Sequence, residues 1–232
     1  MQGPRTARVA ASPLHTARAW YLLLAATAAL LTFVAHDVHA QAWAYPSFQA
    51  PAITTREFNF GIANAGDAGT SLVFQWREGY SPKSQFSFDV GFADPKARGA
   101  DNILFLGGNF GYQLAKSSAD VPLDFLLTGG MGLAFGNKTT LRVPVGVSIG
   151  HRFPLDGTLA LTPYVHPRVS LDFCSACGGD DSQVGINFDI GANLELTRVL
   201  ALRGTAFFGG SDRFGNDGIG ISLAWTPPGL RR

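Results

Sequence analysis

The feature that most constrains this chain is an alternation of apolar and polar side chains that recurs in ten runs of residues. In the run 85–93, for example, Phe86, Phe88 and Val90 alternate with Ser87 and Asp89. A period of two residues is typical of a β-strand with chemically different faces. Turn-rich segments separate the runs, and no long helical repeat is present. The sequence therefore predicts an all-β protein with ten strands, at 56–65, 70–79, 85–93, 102–114, 122–135, 140–153, 159–173, 183–196, 199–208 and 218–226.

Alternation alone does not say which face is buried, because a soluble sheet also alternates. Two features favour an apolar face that contacts lipid. The polar set contains few lysines, which are the usual residues at water-exposed strand edges, and many runs reach ten residues, the length of a tilted membrane-spanning strand. A sheet in hydrocarbon must also close, since an open edge leaves backbone groups without partners. We therefore predict a closed, antiparallel, up-and-down transmembrane β-barrel, most simply with ten strands, with eight or twelve as alternatives.

Aromatic residues of the apolar set fall near the strand ends, which is typical of the boundary between lipid tails and headgroups. If both termini lie in the periplasm, one predicted girdle contains Phe58, Trp76, Phe86, Tyr112, Phe125, Phe153 and Trp225. The predicted girdle at the outer surface contains Phe92, Phe135, Phe173 and Phe208.

The first 40 residues predict a secretory signal peptide. Arg5, Arg8 and Arg18 precede an uncharged stretch at 19–35, and small residues follow. This order is typical of a signal peptide cut after Ala40 or Ala42; the alternative is a membrane anchor helix, for which the stretch is at the lower limit of length. The predicted organisation is a signal peptide at 1–40, an N-terminal linker at 41–54, the barrel at 55–226 and a C-terminal tail at 227–232.

The charge balance gives no reason to expect a nucleic-acid partner. Without the segment before residue 41, the chain has 15 basic and 16 acidic residues. Proteins that bind nucleic acid depend on a basic surface, so no such partner is predicted.

Ten charged residues share the inward parity and are predicted to form a lumen network. Confined charges are costly unless they pair, and a small barrel has an interior just wide enough for side chains. We therefore expect a salt-bridged plug, with a polar channel as the alternative. The predicted network is Arg77, Asp89, Asp124, Arg142, Arg152, Arg168, Asp172, Asp189, Glu195 and Arg203.

Cys174 and Cys177 are the only cysteines and lie in one predicted loop. In an oxidising compartment such a pair is expected to form a local disulfide. A zinc site would need further ligands, and only Asp180 and Asp181 are close in sequence, so neither a metal nor another cofactor is predicted.

The final strand, GIGISLAW, has apolar residues at alternate positions and ends in an aromatic. With a cleaved signal and alternating strands, it resembles the small outer-membrane β-barrel proteins of the OmpA/OmpX-like type. The resemblance covers residues 55–225 and departs from that type in the tail TPPGLRR, which follows the aromatic. It implies a monomer in the bacterial outer membrane that contacts membrane lipid and lipopolysaccharide and is assembled by the barrel assembly machinery.

The expected role is structural, in the integrity of the envelope, without enzymatic activity. Three alternatives remain: a narrow porin-like channel, an outer-membrane lipid-modifying enzyme, and a soluble periplasmic lipocalin-like carrier. Lipid deacylases of this size use a His and a Ser two positions apart. Here the residue two positions after His166 is Arg168, so that pattern fails.

Overall fold

The computed structural model describes residues 47–96, 100–175, 182–210 and 216–228. The predicted signal peptide lies outside these residues. A 3₁₀ helix at Gly66–Ala68 follows the first strand. The strands are β1 Arg56–Asn64, β2 Thr70–Ser81, β3 Ser84–Asp94, β4 Ile103–Ala115, β5 Asp124–Phe135, β6 Thr139–Gly150, β7 Phe153–Pro154, β8 Ala160–Ser175, β9 Ser182–Glu195, β10 Leu200–Gly210 and β11 Gly218–Trp225.

The ten long strands form a closed antiparallel barrel, which confirms the predicted fold class. Neighbours in sequence pair with each other, except that β6 pairs with β8, and the two-residue β7 pairs with β8 alone. The ring closes where β1 pairs with β11, from Phe58 opposite Trp225 to Asn64 opposite Ile219. We call the end with Arg56 and Trp225 the entry end, and the end with Asn64 and Gly218 the far end.

The predicted strands lie within three residues of the observed ones at either end. The largest difference is in β6, which was expected to reach residue 153 but ends at Gly150. Phe153 belongs instead to β7 and pairs with Leu161. Within β6, Pro144 has no partner on β5, because proline lacks the amide that a ladder hydrogen bond needs.

The two faces of the sheet differ in the way the alternation predicts. Large apolar side chains point outward and are exposed, among them Leu72 at 58%, Val145 at 55% and Ile186 at 67%. Polar side chains point inward and are buried, as are Asn59 and Asp189 at 0%. The chain is therefore inverted relative to a soluble sheet, whose apolar face is the buried one.

Part of the inward face is apolar near the far end, on β2 to β5 and on β1 and β10, which the sequence did not predict. Phe105 is fully buried among Val73, Ala93, Ile103 and Ala134, and a second cluster contains Phe207, Ala63, Ala65 and Ala68. Gly91 leaves room for the Phe105 ring, since a Cβ there would lie 2.2 Å from its Cζ.

In the described part of the chain, no helix has the length and apolar character to cross a membrane.

Candidate functional site

The segment before β1, residues 47–54, lies inside the entry half of the barrel and is bound by inward-facing side chains. These side chains come from seven of the ten long strands. They are Gln75 and Arg77 of β2, Gln85 of β3, Gln113 of β4, Ser148 of β6, His166 of β8, Asp189 of β9 and Arg203 of β10. The predicted linker is thus part of the lumen contents over these residues.

Ser47 occupies the centre of the lumen network. Its amide donates to Asp189 Oδ2 at 2.9 Å, and its hydroxyl donates to the same oxygen at 2.7 Å. Its carbonyl accepts from Gln75 Nε2 at 3.2 Å and from Arg77 Nη2 at 2.9 Å. Through these four hydrogen bonds, Ser47 contacts three inward-facing residues on two distant strands.

The same hydroxyl fixes the tautomer of His166. The Ser47 hydroxyl has one hydrogen, which it donates to Asp189, so it accepts from His166 Nδ1 at 2.8 Å. The other ring nitrogen, Nε2, is then an acceptor for the Thr128 hydroxyl at 2.8 Å. The result is a directed chain of hydrogen bonds from Thr128 through His166 and Ser47 to Asp189.

Glu57 lies between two arginines, Arg77 and Arg203, in the described lumen. Its Oε1 accepts from Arg77 at 2.6 Å and from Arg203 at 2.7 Å, and its Oε2 accepts from Arg203 at 2.6 Å. All three side chains are at most 4% exposed. Charge-assisted hydrogen bonds of this kind are among the strongest in proteins, and they matter most where water is absent.

The other arginines in the lumen also contact carboxylates. Arg142 donates from Nε and Nη2 to the two oxygens of Asp172, at 2.8 and 3.0 Å, and Arg168 donates to Asp189. Asp89 accepts from Asn109 at 2.8 Å. The structure thus brings together Arg77, Arg142, Arg168, Arg203, Asp89, Asp172 and Asp189 of the predicted network.

The expectation that Arg152 faces the lumen is wrong. Since β6 ends at Gly150, Arg152 lies beyond it, half exposed, and pairs with Glu195 at 2.7 Å. Hydrogen bonds to Glu195 raise the pKa of Arg152. Asp124 lies at the start of β5 and accepts from the Ser117 amide at 2.8 Å, so it caps a turn at the entry end.

A cavity of about 70 Å³ remains beside the segment in the middle of the lumen. Its walls include Gln75, Asp89, Asn109, Thr128, Arg142 and His166. Such a volume holds a few water molecules. Among the residues that the structure describes, no group of three or more His, Cys, Asp or Glu side chains could hold a metal ion.

The predicted girdle residues lie on the outer face, but outward aromatics are not confined to the strand ends. At the entry end, Phe58 stacks on Trp225 at 5.7 Å and Trp76 meets Phe86 edge-on at 5.5 Å. Phe125, Phe208 and the others are partly exposed. Between the ends, four more aromatics, which belong to the predicted outward set but to neither predicted girdle, lie near the strand centres: Phe60, Phe74, Phe88 and Phe110.

Cys174 is buried near the end of β8 and is disulfide-bonded. Cys177 lies outside the described residues, so the predicted pairing of these two residues stays a prediction.

Sequence reasoning missed three residues on which the site depends, namely Ser47, Phe48 and Glu57. Glu57 was within reach of prediction, because it has the same parity in the first strand as the inward Asn59 and Gly61. Ser47 and Phe48 precede the first strand, where no periodic pattern indicates what a residue contacts.

No protein-family model and no curated protein matches the sequence. Among solved structures, a bacterial polysaccharide outer membrane secretin is similar over 76% of this chain and 67% of its own, at 9% identity and a TM-score of 0.44. LpxR from Salmonella typhimurium is similar over 74% of this chain and 100% of its own, at 9% identity and a TM-score of 0.43. The β domain of the Bordetella autotransporter BrkA is similar over 74% and 98%, at 11% identity and a TM-score of 0.44. We transfer no residue role from these proteins.

Replacing Glu57 by glutamine is expected to lower the free energy of unfolding by about 3–5 kcal/mol, because two buried guanidinium groups lose their shared counter-charge. Urea unfolding in detergent micelles, followed by tryptophan fluorescence, measures the loss. The matched control is Glu195→Gln, which breaks the exposed pair with Arg152 and is expected to cost about 0–1 kcal/mol. Equal losses in the two variants would contradict the assignment of Glu57 to a buried, paired position in the lumen.

Proposed function

We propose that this protein is an integral barrel of the bacterial outer membrane with a structural role in the envelope and a filled, non-conducting lumen. The observation that carries the proposal is the inversion of the two faces. Exposed Leu72, Val145 and Ile186 would be costly in water as a continuous surface, but they suit contact with lipid tails. A soluble carrier would have the opposite arrangement, with its apolar set inside.

Three features support a filled lumen. The inward arginines contact carboxylates on the inner face, three of the four pairs joining neighbouring strands. Residues 47–54 occupy the entry half, and the far half contains the apolar clusters around Phe105 and Phe207 and the ion pair of Arg142 with Asp172. The cavity beside the segment has a volume of about 70 Å³, which is room for a few waters.

The proposed partners follow from the same surface. Membrane lipid covers the outward apolar side chains, and lipopolysaccharide contacts the far end if the entry end faces the periplasm. The terminal strand β11 closes the ring against β1, and we propose that the barrel assembly machinery reads it. The proposed state is a monomer, since a closed barrel has no free strand edge to offer a second copy.

Cell fractionation tests the location. We expect the mature chain in the outer-membrane fraction, with a band on gel electrophoresis that migrates differently before and after heating, because a closed barrel resists detergent until it is heated. Recovery in the soluble periplasm would contradict the proposal and would favour the carrier.

A charge placed on the outer face tests its contact with lipid. Val145→Arg, near the middle of β6, is expected to lower the free energy of unfolding from lipid vesicles by about 2–4 kcal/mol, because a cation at the bilayer midplane is costly. The matched control is Val121→Arg, in the turn before β5, where about 0–1 kcal/mol is expected. Val145 and Val121 are 55% and 39% exposed, so a protein surrounded by water would tolerate both changes alike.

Planar bilayer recordings test the filled lumen. The purified, heat-modifiable protein is expected to insert without reproducible single-channel steps, since paired side chains and residues 47–54 occupy the path. A reproducible conductance step of one size would contradict the filled lumen and would favour the narrow channel.

A further inference from the structure

Residues 47–54 are bound mainly through their backbone. The carbonyls of Ser47, Phe48 and Gln49 accept hydrogen bonds from strand side chains, the donors being Gln75 and Arg77, Arg203, and Ser148 respectively. Further along, the Pro51 carbonyl accepts from Gln113 at 3.0 Å. The amides of Ile53 and Thr54 donate to Gln113 and Gln85, at 3.1 and 3.0 Å. Backbone hydrogen bonds of this kind are how proteins hold an extended peptide, while side-chain pockets select its sequence.

Two side chains of the segment enter specific places. The Ser47 hydroxyl lies between His166 and Asp189. The Phe48 ring is fully buried against Gly61 of β1, where an added Cβ would lie 2.8 Å from its Cε2. Phe48 also has a φ of +47°, a left-handed conformation that bulky residues rarely adopt. Its surroundings therefore hold it in place against a backbone preference.

The segment takes no part in the strand pairing that closes the ring. Residues 47–54 belong to no strand, and the pairing of β1 with β11 completes the ring without them. The segment makes its lumen contacts with side chains of the wall, so it is related to the wall as a ligand is to a site.

We propose that the inner face of the entry half is a binding site for a peptide with a hydroxyl residue followed by an aromatic, and that the chain's own residues 47–54 occupy it. The inference goes beyond the proposed function, because it implies that residues 47–54, which fill part of the lumen, can be displaced. It depends on the closed barrel and not on where the barrel resides, so the location experiment and the test below fail separately.

The test measures how fast a thiol in the lumen reacts. Ser87 lines the cavity beside the segment and is 9% exposed, so Ser87→Cys in the full mature chain reports on access from the entry end. A small water-soluble methanethiosulfonate is the reagent, and the chain without the added cysteine gives the background of Cys174 and Cys177. Two further changes are each combined with the reporter. Phe48→Ala removes the aromatic anchor, and Gly61→Val fills its place.

The matched control is Gly204→Val on β10, where an added Cβ meets no atom within 4 Å. We expect Phe48→Ala and Gly61→Val to raise the reaction rate of the reporter by about tenfold or more, which corresponds to about 1.4 kcal/mol of lost binding free energy. Gly204→Val is expected to leave the rate unchanged. A synthetic peptide with the sequence of residues 47–54 is expected to return the Phe48→Ala rate towards that of the parent, whereas the same peptide with alanine in place of phenylalanine is not.

Two results would overturn the proposal. If the reporter reacts at the parent rate in the Phe48→Ala protein, the segment is not held by its aromatic anchor. If the rate rises but the peptide does not lower it, the segment is packed as part of the barrel and occupies no separable site. Should Gly61→Val fail to fold, the Phe48→Ala protein, in which every strand residue except the reporter is unchanged, still decides between these outcomes.

Discussion

Closing the sheet forces half of its side chains to face one another across a narrow space, where polar atoms need partners from the chain or from the few waters that the cavity can hold. Glu57 illustrates the constraint, since one carboxylate serves both Arg77 and Arg203. A carboxylate in that position without the two arginines, or the arginines without it, would be an unpaired charge away from water. The segment before β1 helps to meet this requirement, because its carbonyls accept further hydrogen bonds from Arg77 and Arg203.

The interior solves this problem differently along its length. In the entry half, long polar side chains reach across the lumen to carbonyls and carboxylates, and most of the buried hydrogen bonds among the described residues are there. The far half also has polar pairs, such as Arg142 with Asp172, but in addition Phe105 and Phe207 fill part of the space with rings that need no hydrogen-bond partner. These rings occupy the lumen without adding a polar group that would be costly to bury unpaired.

The strands were predictable because their period of two is local. The alternation of Phe86, Ser87 and Phe88 indicates a strand, whichever residues these side chains contact. Closure of the sheet follows once one face is assigned to lipid. The partners inside the lumen were not predictable, since they depend on which inward positions the register brings level. Asp172 lies directly opposite Arg142, but the spacing of the two residues along the chain does not predict that they pair. Arg152 was misassigned because the end of a strand is less well marked than its middle. Ser47 and Phe48 had no pattern at all, since a bound peptide takes its conformation from the surrounding wall.

The way in which residues 47–54 are held has a consequence for their strength of binding. Each hydrogen bond contributes about 1 kcal/mol net, and somewhat more where a charged group is involved, so the contacts of eight residues give a moderate affinity once the cost of ordering them is subtracted. The segment is nevertheless joined directly to β1 through Thr55, and such a short tether gives an effective concentration of the order of millimolar or above. A site that is weak for a free peptide is therefore full when the peptide is tethered. Occupancy and affinity are separate quantities in this barrel, and a free peptide gains access when the tethered copy has lost its anchor at Phe48.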